Sequence, residues 1–351
     1  MPQISTDVLR NVYLEALKFS NPLTDTISTD QFSAHYNQQP GWAVGPFQKD
    51  DAMTFRQTGD WQDPTGIGWT SDSIFNPSVM ERDGKLYLFY RASPRKESVS
   101  SRIGVACYEP GTGWIDHAAN PVVYPTQDNE ILGCEDPKVY AADGRYYMFY
   151  NGIWTIDGDG QAEGGPDVYP LGDVGCDINV AVSFDLLHWE KLGLAVPHEV
   201  SKYWAKGAVI PRNAKGEAVK IDGEYLIYLS EGCGGMMHIG RSTDMVNWTF
   251  EPQEYLNIDS LGGSLHEVSC AIVGDDGSLV LDFFYRDAAN QFAAAQALYS
   301  VDAPFTQKAV NLGGSLAWGG LLKYQGAWMF AQGWDAPKGV REMYFYKSAT
   351  E

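Results

Sequence analysis

A polar or acidic motif, an apolar strand, a tight Asp-Gly-type turn and an aromatic strand recur five times beyond residue 70, and nothing else restricts the fold as strongly. The copies are FNPSVMERDGKLYLFYRAS from Phe75, CEDPKVYAADGRYYMFYNG from Cys134, KGAVIPRNAKG with DGEYLIYLSEG from Lys206, HEVSCAIVGDDGSLVLDFFYRD from His266 and WGGLLKYQGAWMFAQGWD from Trp318. A further strand of small and β-branched residues follows each: SRIGVACYE, INVAVSFDLLHWEK, MHIGRSTDMVNWTF, FAAAQALYSVDAP and REMYFYKSAT. Two of these end in the matching tails SFDLLHW and STDMVNW, where an Asp begins a turn and a Trp opens an outermost strand. Each such sheet alone leaves a face unburied, and stacking the copies around an axis removes it. The expected fold is all-β, a five-bladed β-propeller with a short N-terminal helix.

The 351 residues suit one large domain, with residues 1–45 as a helix and lead-in packed on a propeller of residues 46–351. Thr6 or Asp7 caps that helix, and Val8, Val12, Leu14 and Leu17 form its apolar face. It serves either as a brace or as a contact in a homo-oligomer.

A formal charge of -20 repels phosphate backbones and anionic membrane surfaces, so neither nucleic acid nor membrane is expected as a partner. Asp7, Arg10, Glu15 and Lys18 interrupt the apolar runs of the N-terminus, which argues against a signal-peptide core. Cys107, Cys134, Cys176, Cys233 and Cys270 are odd in number and have no metal-ligand spacing, pointing to a reducing compartment and a cytoplasmic location.

In a propeller the innermost strands line the axis, so the motif at the start of each one projects into a common funnel. Asn76 with Pro77, Glu135 with Asp136 and Pro137, Lys206, Glu267 with His266, and Trp318 are thereby expected to converge. Cleaving a glycosidic bond requires a proton donor and a second group to supply or activate the nucleophile. Asp136 is the candidate acid, with Glu135 as a like-charged neighbour able to raise its pKa if both face the funnel. Strand alternation, however, requires only one of the two to do so. Glu267 or Glu231 is the candidate base. Arg91, Arg102, Lys206, His238 and Arg286 are candidate contacts to phosphate or carboxylate. Trp154, Trp318 and Trp334 are candidate sugar platforms, with Asp335 beside the last as a further substrate contact.

FNPSV, LYLFYRAS, SRIGVA, CEDPKVY, KGAVIPRNAKG and the STDMVNW tail resemble the mannoside phosphorylases and mannosidases of glycoside hydrolase family 130, which are five-bladed propellers. The similarity runs in register from about Asn76 to Trp248. It implies Asp136 of the Glu135-Asp136-Pro137 triplet as general acid, working in the phosphorylases through a hydroxyl of the mannosyl unit, with inversion. It also implies Asn76 and Arg91 as contacts to sugar or phosphate and Lys206 as an anion ligand. The family triplet is usually followed by Arg, where this chain has Lys138. A third-blade strand that often carries a basic phosphate contact reads YLSEG, and Arg286 stands where the phosphorylases often have a fourth-blade histidine.

A glutamate in an anion site repels phosphate and suits activation of water. The expectation is therefore a carbohydrate-active enzyme that hydrolyses β-mannosides or related short oligosaccharides. The alternatives are an inverting phosphorylase yielding sugar 1-phosphate and a non-catalytic glycan-binding propeller. No cofactor is expected, apart from inorganic phosphate as co-substrate of a phosphorylase. The segment from Trp154 to Gly175 is expected to overhang the funnel. Its Asp157, Asp159 and Gln161 echo a calcium loop but lack the later bidentate Glu, so no metal is expected.

Overall fold

Hairpin turns start the blades, and their chemistry is local. Asp83, Asp143 and Asp222 take φ of 54, 48 and 52° ahead of Gly84, Gly144 and Gly223 at 77, 74 and 85°. Paired positive angles of this kind make the two-residue turn that matches strand twist. The computed structural model describes residues 4–17, 27, 30–33, 35–36, 39–94, 99–156, 174–334, 336 and 339–349. No helix among them is long and apolar enough to cross a membrane.

The chain forms the five-bladed propeller. Blade one pairs Ser73–Arg82, Lys85–Ser93, Arg102–Glu109 and Gly113–Asp116, in that order from the axis outward. Blade two repeats this with Gly133–Ala142, Arg145–Thr155, Val174–Ser183 and Glu190–Leu194, and blade four with Ser264–Val273, Ser278–Arg286, Phe292–Ser300 and Ala309–Leu312. Blade three departs from the pattern. Its outer strands are Tyr225–Leu229, His238–Ser242 and Thr249–Pro252, but the innermost one is reduced to a bridge between Val209 and Tyr228. Pro211 donates nothing to a ladder, and Pro211–Arg212 run parallel to the inner strand of blade four instead.

Blade five is assembled from both halves of the chain. Leu322–Tyr324, Ala327–Gln332 and Glu342–Ser348 are completed by Phe47–Lys49, with Phe47 opposite Ser348 and Lys49 opposite Tyr346. The preceding lead-in is fastened nearby: the Val44 amide donates to Gln296 Oε1 at 2.9 Å, and Gln296 Nε2 donates to the Val44 carbonyl at 3.0 Å.

The matching tails are matching structures. Asp185 Oδ1 accepts from the amides of Leu187 and His188, each at 2.9 Å, and Asp244 Oδ1 from those of Val246 and Asn247 at 3.0 and 2.8 Å. Each turn aims its Trp at the preceding blade. Trp189 meets Phe89 edge-on at 5.6 Å, and Trp248 meets Phe149 at 5.9 Å. The blades are thus joined by aromatic contacts as well as by aliphatic packing.

The N-terminal helix spans Thr6–Leu17, but its buried residues are Leu9, Tyr13 and Ala16, while Val8 and Leu14 are 46% and 50% exposed. Of the expected apolar face, Val12 and Leu17 pack against the core, whereas Val8 and Leu14 do not. The cap also differs: Ser5 Oγ accepts from the Val8 amide at 3.3 Å. All five cysteines are free thiols.

Candidate active site

Asn76 and Asp136 occupy equivalent places in the first two blades. The ladder skips from Phe75 to Ser78 and from Glu135 to Lys138, so each Asx-Pro pair forms a bulge in an innermost strand. Asn76 has φ of 43° and Asp136 of 53°. Asn and Asp tolerate this left-handed region, but a following proline disfavours it. Such strain costs about 1–3 kcal/mol per residue and persists where the surroundings hold it in place.

The bulge also breaks strand alternation. Glu135 and Asp136 both turn to the same cations, although strand alternation alone needed only one of them to face inward. Arg91 Nη2 lies 2.8 Å from Glu135 Oε2, and its Nη1 donates to Asp136 Oδ1 at 3.1 Å. Lys206 Nζ donates to Glu135 Oε1 at 2.7 Å and to Asp136 Oδ2 at 3.1 Å. Asn76 Nδ2 donates to Asp136 Oδ1 at 2.7 Å and accepts through Oδ1 from Trp334 Nε1 at 2.6 Å. Arg91 is held by Ser101 Oγ, which accepts from Nε at 2.7 Å.

A second carboxylate group faces the first. Lys206 and Glu231 are cross-strand partners, and one donor-type atom from each of Glu231, His266 and Glu267 lies within 4.8 Å of the others. Gly207 makes room for this approach: at φ of 70°, a Cβ there would stand 2.6 Å from Glu267 Oε1. Lys138 lies 3.3 Å from the same Oε1 and also donates to the carbonyls of Ser269, at 3.2 Å, and Trp318. One imidazole and two carboxylates are donor types that divalent ions accept. Here the Lys138 ammonium already stands at one oxygen of Glu267. Farther along the inner strands Arg212 crosses the axis, donating to Val139 and Leu321 carbonyls at 3.3 and 2.6 Å.

Burial pushes the Asp136 carboxyl up, but Lys206, Arg91 and the Asn76 hydrogen bond overcome it and hold Asp136 well below the usual carboxylate range. Glu135 therefore does not raise Asp136 above its ordinary value as expected. For Glu135 itself, burial outweighs Arg91 and Lys206, and its carboxyl is raised. Burial, and next the charge of Glu267, push Glu231 up to about 8 against Lys206. Glu267 is raised by burial, with Lys138 opposing. These shifts favour an ionised Asp136 and a protonated Glu231 in the free site at neutral pH.

The other expected contacts are distributed differently. Arg102 is buried away from this cluster, with Nη1 donating to the Ser101 carbonyl at 3.0 Å and its guanidinium 5.6 Å from the Trp69 ring. His238 is buried on the third strand of its blade, against the Met236 carbonyl. Arg286 lies over the Phe292 ring at 3.7 Å and donates to the Asn290 carbonyl, whereas His266 meets the same ring edge-on at 5.0 Å. Trp318 and Trp334 stack on each other at 5.2 Å and are only 7% and 9% exposed, so they back Asn76 rather than offer an open platform. Asp335 and the calcium-like Asp157, Asp159 and Gln161 lie outside the described residues, as does most of the expected overhanging segment. Ser101 had no sequence signal, being an unremarked residue before a strand.

These strands and bulges define a propeller with a carboxylate-rich pit at its axis. Residues 54–158 match the family model described as beta-1,4-mannooligosaccharide phosphorylase, of glycoside hydrolase family 130. A Beta-1,2-mannobiose phosphorylase from a Thermoanaerobacter species is 32% identical over 100 residues, 25% of this chain and 33% of that protein. A 1,2-beta-oligomannan phosphorylase of the same source is 25% identical over 185 residues, 51% of this chain and 53% of that protein. The matches thus span a third to about half of these relatives' lengths.

Among solved structures, one describes glycoside hydrolases within the family 130 mannoside phosphorylases that target beta-1,2 mannosidic linkages in Candida mannan. It superposes with a TM-score of 0.64 at 22% identity, covering 87% of this chain and 95% of that one. The Beta-1,2-Mannobiose phosphorylase of Listeria innocua superposes at 0.57 with 11% identity, covering 86% and 96%. The family resemblance is borne out in sequence over residues 54–158, which match the family 130 model, and the chain shares its propeller fold with the family's solved structures.

Proposed function

We propose that this chain is an enzyme that hydrolyses β-mannosides or related short oligosaccharides, with Asp136 serving the leaving oxygen and the Glu231–Glu267 pair activating water. The observation that carries the reading is the meeting of two carboxylate pairs in one pit, each pair with its own lysine. Arg91 and Lys206 are matched by Glu135 and Asp136, and Lys138 by Glu267. Incoming phosphate would find no unpaired cation in this set to balance its charge. Water needs none.

The proton count closes within the site. Bound sugar brings hydroxyl groups among Asp136, Asn76 and Lys206, weakening the contacts that hold Asp136 ionised, and the proton resting on Glu231 passes to Asp136. Asp136 then gives it to the leaving oxygen as that C–O bond breaks. Water adds to the anomeric carbon and yields its proton to Glu231, which restores the starting state. Asn76 and Arg91 hold Asp136 in position throughout.

Phosphorolysis is the second reading, favoured by the names of the curated relatives. The two are separated by incubating manno-oligosaccharides with and without inorganic phosphate. Free mannose at the same rate in both supports hydrolysis, whereas phosphate-dependent sugar 1-phosphate overturns it. Asp136→Asn should lower turnover by at least about a hundredfold while sugar still binds. Unchanged turnover would remove Asp136 from the chemistry.

A further inference from the structure

Glu231, His266 and Glu267 come from two distant stretches of chain, and local structure explains why all three meet. His266 and Glu267 are neighbours in one strand, where ordinary alternation would send their side chains to opposite faces. The ladder skips at this point: Leu265 pairs with Tyr285 and Glu267 with Phe284, so His266 is the extra residue of a bulge. That bulge lets both side chains reach one place. Glu231 arrives from the short strand Glu231–Gly232, which pairs with Ala205–Lys206. The imidazole is steadied by Phe292, which it meets edge-on at 5.0 Å, and Arg286 lies over the same ring at 3.7 Å.

One ligand atom from each of the three lies within 4.8 Å of the other two. A zinc-like ion with ligands at about 2.0–2.2 Å holds them about 3.3 Å apart in a tetrahedron. Drawing the side chains in by about 1.5 Å at most reaches that arrangement. Glu231 and His266 are half-buried, which leaves space for the adjustment. Glu267 is held more firmly, with Lys138 3.3 Å from its Oε1, but a carboxylate has a second oxygen to lend.

Charge points the same way. Glu135, Asp136, Glu231 and Glu267 share three cations, Arg91, Lys138 and Lys206, in the ion pairs of the pit among the described residues. The surplus is negative and lies with Glu231 and Glu267. Two carboxylates this close repel each other, and a divalent charge between them relieves the repulsion. The imidazole sets this group apart from a mere cluster of acids. Calcium and magnesium prefer oxygen ligands, whereas imidazole with carboxylate suits zinc and its first-row neighbours.

We propose that Glu231, His266 and Glu267 bind one divalent transition ion of the zinc class, and that the bound ion stops turnover by engaging both carboxylates. The binding stands on geometry and charge. The inhibition rests on the hydrolytic reading, which gives the same two carboxylates the task of activating water.

The probe is zinc, added to the full chain after dialysis against a chelator. Calorimetry should show one equivalent of ion whose binding His266→Gln and Glu231→Gln each weaken at least about tenfold. Both replacements are close in size to the native side chains, and circular dichroism identifies a variant that fails to fold. No zinc bound by the native protein, or equal binding by the native protein and a folded variant, overturns the site. On a β-linked mannobiose, zinc enough to fill the native site alone should lower the native rate at least about tenfold. It should change the His266→Gln rate less than about twofold from that variant's own rate without zinc. Undiminished native turnover with the ion bound overturns the inhibition. A native chain that cleaves no mannoside sinks the hydrolytic reading instead, and calorimetry still decides the ion site.

Discussion

The pit pushes the Asp136 carboxyl down and the Glu231 carboxyl up, and this shapes how the protein responds to pH. The productive form carries one proton shared by the two groups, so kcat/KM should hold through neutrality and decline as pH rises past about 8, where Glu231 loses its proton. A rate profile still climbing well above that pH would contradict the assignment. Stability has the same sign. Because the Glu231 pKa is raised on folding, its contribution is fully present below the unfolded value of about 4.5 and is lost as pH rises to about 8. Glu231→Gln should flatten the fall in melting temperature across that window, which thermal scans at several pH values would read. Asn76, Asp136, Lys206 and Glu267 could be found in the sequence because equivalent strand starts repeat. The Lys138–Glu267 pair and the Asp177–His198 contact could not, since both join segments whose separation in the chain says nothing about their distance in space.

Bulges and turns make up the next scale, and here the sequence was legible in part. The Asp-Gly hairpins and the Asp-to-Trp tails were readable because each is fixed by a few neighbouring residues. Asp185→Ala removes the carboxylate oxygen that accepts from two backbone amides and fixes the turn that aims Trp189 at Phe89, and should cost about 1 kcal/mol in urea unfolding. No measurable change would mean that water replaces the carboxylate there. The helix face was legible only in part: Val12 and Leu17 pack inward, but Val8 and Leu14 are apolar yet exposed, whereas the small Ala16 is fully buried, so contact with the propeller, not hydropathy, chose the side. The inner edge of blade three escaped prediction for a related reason. Its Gly207 and Pro211 serve Glu267 and the neighbouring blade rather than their own sheet.

At the scale of the molecule, blade number was legible from the repeats, but the source of the last strand was not. Only four of the repeat units bring their own outer partner, and Phe47–Lys49 supplies the fifth. Phe47 is 4% exposed and meets Phe330 edge-on at 5.0 Å. Phe47→Ala should therefore destabilise the whole protein by about 3–5 kcal/mol, read as a lower denaturant midpoint with an unchanged slope. A loss confined to the lead-in segment, with the main transition unmoved, would show that the latch is dispensable.

That latch sets an order of events during synthesis. Phe47–Lys49 is made well before the edge it pairs with, Glu342–Ser348, and has to wait while every intervening sheet emerges. A nascent chain stopped short of its final strand would carry two unsatisfied borders, an invitation to pair with a neighbouring copy instead of with itself.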